Sequence, residues 1–101
     1  MTGPSTSGVR VEQDGAHWVM WGEIDAAAIA PVKDAIDDAM SRHATFSLDL
    51  GDVTFMDSAG LRVLYLAATT ATEPPRLVGT PASVRHLLEI AGVTDLFALT
   101  D

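Results

Sequence analysis

Residues 45–50, Thr-Phe-Ser-Leu-Asp-Leu, alternate polar and apolar without a break, which is the period of a strand with one covered face. On either side of this run the period changes. Before it, Ile29, Val32, Ile36, Ala39 and Met40 recur at the spacing of one helical face, with Lys33, Asp34, Asp37 and Asp38 mostly off the stripe. After it, Leu61, Leu64, Tyr65 and Ala68 mark a second such face, which gives out before Pro74-Pro75. A strand held between two helices demands a sheet with helices packed on it, and few folds satisfy that.

The remaining segments extend the same alternation. Residues 9–13 read as a strand, Asp14-Gly15 as a two-residue hairpin turn, and residues 16–21 as the returning strand. On that strand Trp18 and Met20 share one face and His17, Val19 and Trp21 the other, so both faces are expected to be at least partly covered. Pro31 belongs near the start of the first helix, where a missing N–H costs nothing, which places the ordered start around Ala28 with Asp25 in the preceding turn. Residues 51–57 read as a loop anchored by Val53 and Phe55, and Leu77-Val78 as a short strand. Thr80 reads as a cap ahead of a first-turn proline, Pro81. Val84, Leu87, Leu88 and Ala91 form a third helical stripe closed by Gly92, and residues 93–99 a short strand or a packed C-terminal segment. A hairpin followed by helix and strand in turn implies a mixed sheet in an α/β fold.

Composition bounds the function. With 101 residues the chain is one domain, able to bury roughly two thirds of its unfolded surface. At 48% hydrophobic residues it is not a disordered composition. Fourteen acidic residues against six basic give a net charge of −8, and Lys33 is the single lysine. Affinity for nucleic acid or for an anionic membrane comes from many Lys and Arg residues, so neither is expected as a direct partner. Without cysteine there is no disulfide framework and no thiolate metal site. Residues 1–8 are rich in Gly, Pro, Ser and Thr and lack the basic start and apolar run of a secretory signal, so they read as a flexible tail on a domain spanning 9–101. No apolar run reaches membrane-spanning length, and a cytoplasmic location is expected.

The most informative stretch runs from Asp49 to Leu61, Asp-Leu-Gly-Asp-Val-Thr-Phe-Met-Asp-Ser-Ala-Gly-Leu, which leaves a strand and enters a helix at Asp57-Ser58. Taken with Gly22-Glu23-Ile24-Asp25 ahead of the first helix and Ala91-Gly92-Val93-Thr94-Asp95-Leu96-Phe97 near the end, it resembles the STAS domain family, specifically the single-domain anti-sigma-factor antagonists of bacteria. That resemblance implies an α/β, STAS-like single domain, a mixed β-sheet of about four to five strands packed with about three to four helices. It implies that Ser58 is a phosphoacceptor, phosphorylated by an anti-sigma factor with serine kinase activity and restored by a protein phosphatase. It further implies that the chain is no enzyme, needs no cofactor, and meets its partner through Gly22, Glu23, Ile24, Asp25, Asp52, Asp57, Ala59, Gly60, Leu61 and Arg62. Two departures stand out: Ala59 where many relatives have a second serine, and Arg62 where many have glycine. The same resemblance leaves a second role open, the STAS subunit of a membrane lipid-transport ABC system.

Plainer roles are open at each position. Ser58 is either a helix cap or a phosphoacceptor; Asp57 is the N-cap, the residue that positions the acceptor, or both. Glu23 and Asp25 either cap the first helix or touch the partner. A nucleophile elbow requires Gly two residues before the serine, where Met56 stands, and no phosphate-loop sequence is present. His17, His43 and His86 lie on separate elements; His86 and Glu89 are two ligands without a third, so no metal site is expected. Trp18, Trp21, Phe46 and Phe55 read as core.

Overall fold

The computed structural model describes residues 6–12 and 15–100. The elements are β1 (Gly8–Glu12), β2 (His17–Ile24), α1 (Ala26–Ile29) continued through a 3-10 turn (Ala30–Val32) into α2 (Lys33–Arg42), β3 (Ser47–Met56), α3 (Ser58–Thr70), β4 (Arg76–Val78), α4 (Ala82–Ala91), a second 3-10 turn (Thr94–Leu96) and β5 (Ala98–Thr100). The strands lie in sequence order, β1 antiparallel to β2 and all later neighbours parallel. This is the mixed sheet that the alternating periods require. Residues 1–5 of the expected tail, together with Gln13 and Asp14 of the expected strand and hairpin, lie outside the described residues.

One face of the sheet carries the helices. Val9, Trp18, Met20, Ile24, Leu48, Leu50, Val53, Met56 and Leu77 point inward and are buried beneath Ile36, Val63, Leu64, Ala67, Val84 and Leu88. Each such side chain contributes roughly 1.5–3 kcal/mol by leaving water. Trp18 is the largest of them: its ring centroid lies 5.3 Å from that of Phe46. Its indole N–H donates to the Gly15 carbonyl at 2.7 Å, so the buried polar atom is satisfied. Among the described residues the opposite face carries no helix, and its residues Arg10, His17, Val19, Trp21, Asp49 and Arg76 are half-buried or exposed.

Six expectations are corrected. The segment 51–57 is not a loop: β3 runs for ten residues against eight of β2, with register shifts between Val19 and Trp21 and between Gly22 and Glu23. Each extra residue moves the following side chains to the other face. Inward positions therefore fall at Leu48, Leu50, Val53 and Met56, and Phe55 turns outward, 53% exposed, beside Glu23. Val53 is an anchor; Phe55 is not core. Trp21 is half-buried, with the Arg10 guanidinium 5.8 Å from its ring centroid.

The first helix starts at Ala26, not Ala28, and absorbs Pro31 by tightening into the 3-10 turn. In α3 the buried stripe is Gly60, Val63, Leu64 and Ala67, so Tyr65 lies outside it at 45% exposure. Thr80 does not cap α4: Pro81 holds the N-cap position without a side-chain bond, and the buried Thr80 hydroxyl has no hydrogen-bond partner among the described residues. Gly92 does close α4 in the left-handed conformation, φ +73°, its N–H bonding the Leu88 and Glu89 carbonyls.

Candidate functional site

The parallel strands β2 and β3 end side by side, Ile24 opposite Met56, and a helix starts from each. Both starts are capped by aspartate. Asp25, in extended conformation, accepts the Ala28 N–H at 2.9 Å. Asp57, also extended, accepts the N–H groups of Ala59 at 2.9 Å and Gly60 at 3.4 Å. Each carboxylate satisfies donors the helix leaves open and complements the positive end of its dipole. Glu23 and Asp25 thus separate: Asp25 caps, while Glu23 is exposed at the strand end.

Ser58 is the first helical residue and not the cap. It is exposed, and its hydroxyl makes no hydrogen bond among the described residues. The capping role open to it from the sequence falls to Asp57.

Two glycines permit this closeness. A Cβ on Gly60 would stand 2.5 Å from Met56 Cγ and 2.9 Å from the Ile24 carbonyl oxygen, so α3 seats directly on the strand ends. Gly22 adopts φ +73°, and a Cβ there would meet the Thr6 carbonyl oxygen at 2.0 Å. The adjacent Glu23 N–H donates to the Ser7 hydroxyl at 2.9 Å, tying residues 6–8 to the site.

The residues expected at a partner surface fall into three groups. Glu23, Ser58 and Arg62 are exposed; Asp25, Asp57, Ala59 and Leu61 are half-buried; Gly22, Ile24 and Gly60 are buried and shape the backbone. Asp52 stands apart, on the open sheet face opposite Trp21, five residues or about 16 Å of extended chain before Asp57. Asp49 shares that open face and accepts the Gly51 N–H at 2.9 Å. Missed from the sequence were Phe55, for want of a period-two signal across the register shifts, and Lys33, which the helix brings beside Arg62. Among the described residues no group of three or more His, Cys, Asp and Glu could hold a metal ion, and no helix is long and apolar enough to cross a membrane. His86 and Glu89 form an exposed contact at 3.8 Å.

Fold and site define a small α/β domain that presents a capped helix start, with an open serine, at the carboxyl edge of parallel strands. The sequence model of the family described as "Mlab, STAS domain" matches residues 9–100. The chain belongs to the STAS domain family. Among curated proteins none matches it. Solved structures do: an anti-sigma factor antagonist from Mycobacterium paratuberculosis is 22% identical with a TM-score of 0.74, over 99% of this chain and 90% of that one. The anti-sigma factor antagonist SpoIIAA in its unphosphorylated form is 17% identical with a TM-score of 0.71, over 94% and 88%. At these identities the likeness is one of fold.

Proposed function

We propose that this chain is an anti-sigma factor antagonist whose binding to an anti-sigma factor kinase is switched off by phosphorylation at Ser58. The carrying observation is the division of labour at the start of α3: Asp57 caps the helix, leaving the Ser58 hydroxyl exposed and without a hydrogen bond among the described residues. Family membership and the fold shared with two anti-sigma factor antagonists support the reading. In the transfer, Ser58 Oγ attacks the γ-phosphorus of ATP held by the kinase. The bond to the ADP oxygen breaks, and the hydroxyl proton passes to a base of the kinase. A phosphatase restores the hydroxyl by transferring the phosphoryl group to water.

A phosphate at the first turn meets the positive end of the helix dipole, so it need not melt α3. It adds about −1.5 to −2 charges at pH 7, close to Asp57 and Asp25. The switch therefore acts at the docking surface, by charge and bulk. The test is incubation with ATP and each anti-sigma kinase of the host, followed by mass spectrometry. One added phosphate that disappears in Ser58→Ala is expected; no phosphate with any kinase overturns the reading.

A second reading, the STAS subunit of a membrane lipid-transport ABC system that holds an ATPase subunit through the same helix, has in its favour the name Mlab in the family description. Co-purification with an ATPase subunit, and with no anti-sigma factor, would select it.

A further inference from the structure

Arg62 is exposed on α3, four residues after Ser58, and differs from the cations of α2. Lys33 is held by Asp37 at 2.7 Å and Arg42 by Asp38 at 3.2 Å, both one turn along α2. Arg62 pairs with no carboxylate among the described residues. It stands at the wall of a groove of about 310 Å³ between the first helical segment and α3, lined by Ile29, Ile36, Met40, Val63 and Leu66. Lys33 is its cationic neighbour there. The Lys33 pKa is raised above its usual value by the hydrogen bond its ammonium donates to Asp37 and by that carboxylate's charge, opposed in part by desolvation and by repulsion from Arg62.

Helical geometry sets what Arg62 can reach. Side chains four residues apart are neighbours, with Cβ atoms about 6 Å apart. A helical side chain leans toward the N-terminus and covers the turn before its own Cα, which for Arg62 is the turn of Ser58 and Ala59. An anion ahead of a cation at this spacing is also the favourable order along the dipole. A guanidinium can grip a phosphate through two parallel N–H donors.

We infer that Arg62 is the phosphate-holding residue of this chain: a phosphate on Ser58 is bound by the guanidinium one turn further along the same helix. The inference rests on Ser58 being the phosphoacceptor. Binding the phosphate draws Arg62 off the groove wall. Lys33, already neutralised by Asp37, is then the cation left there among the described residues. Phosphorylation therefore changes charge at two places, the helix start and the groove, without refolding either.

The test places phosphoserine at position 58 of the full chain during translation, so that no kinase is needed, and follows the second ionisation of the phosphate by phosphorus NMR. The same chain with Arg62→Gln is the comparison. Asp57, Asp25, Glu23, Lys33, Asp34 and Asp37 are present in both chains, so their fields cancel in the difference. With Arg62 present, the titration midpoint is expected about 0.2–0.4 unit lower at low salt. The difference should shrink at 1 M salt, where the screening length falls to about 3 Å. Equal midpoints at low salt, or a lower one in Arg62→Gln, would overturn the inference. A chain that no kinase phosphorylates yet shows the shift would sink the functional reading and leave the Arg62 contact standing.

Discussion

The backbone N–H of Asp57 donates to the carbonyl oxygen of Ile24 at 3.2 Å, which ties the start of α3 to the end of β2. The bond crosses between the two parallel strands at the point where both give way to helices. It explains why Gly22-Glu23-Ile24-Asp25 and Asp57-Ser58-Ala59-Gly60 lie side by side although more than thirty residues separate them. One backbone bond fixes the relative height of two capped helix starts.

The close seating of α3 predicts a steric penalty at Gly60. In Gly60→Ala the new Cβ meets Met56 Cγ at 2.5 Å and the Ile24 carbonyl oxygen at 2.9 Å. The Met56 side chain can give way, but the Ile24 carbonyl belongs to the backbone bond just described and cannot. Overpacking of this kind costs about 1–3 kcal/mol, and in a domain of this size each kcal/mol lowers the Tm by about 4–8 °C. Thermal unfolding followed by circular dichroism measures it. An unchanged Tm would mean that α3 is not held where the structure puts it.

The register shifts in β3 predict opposite behaviour for two phenylalanines that the sequence presents alike. Phe46 is buried against Trp18, and Phe46→Ala should cost about 3–5 kcal/mol. Phe55 faces outward beside Glu23, and Phe55→Ser should stay within about 0.5 kcal/mol of the parent. Urea unfolding of the two variants distinguishes them. A large loss in Phe55→Ser would restore the loop-anchor role that the sequence pattern assigned to it.

These residues also mark how far the sequence is legible. Strict alternation over 45–50 located β3, and the three stripes with 3.6 period located the helices, because both patterns report directly on which side is buried. The pattern failed where the chain departs from an ideal repeat. Two extra residues in β3 turn the inward spacing from two to three, and Gly51-Asp52 then imitates a turn. Pro31 marked a helix start by its missing N–H, whereas a 3-10 turn accommodates it five residues later. At Thr80 a capping residue sits one position too early, because Pro81 takes the N-cap place. The site itself was more visible than the strand leading into it, since Asp57-Ser58 is a local capping signal that does not depend on register.

That local signal yields the sharpest separation of structure from switching, because adjacent residues carry the two roles. Asp57→Ala removes the acceptor of the Ala59 and Gly60 N–H groups and should cost about 0.5–2 kcal/mol. Ser58→Ala removes a hydroxyl with no bond among the described residues and should leave stability within about 0.5 kcal/mol. Ser58→Asp should also remain folded, since a carboxylate in the first turn suits the dipole. Its binding to the anti-sigma factor, measured by calorimetry, should nonetheless fall at least tenfold while Ser58→Ala binds as the parent does. Cap loss and switching would then map to neighbouring positions, which a general weakening of the helix start could not produce. If Ser58→Asp binds as tightly as the parent, charge at the docking surface is not what the switch uses.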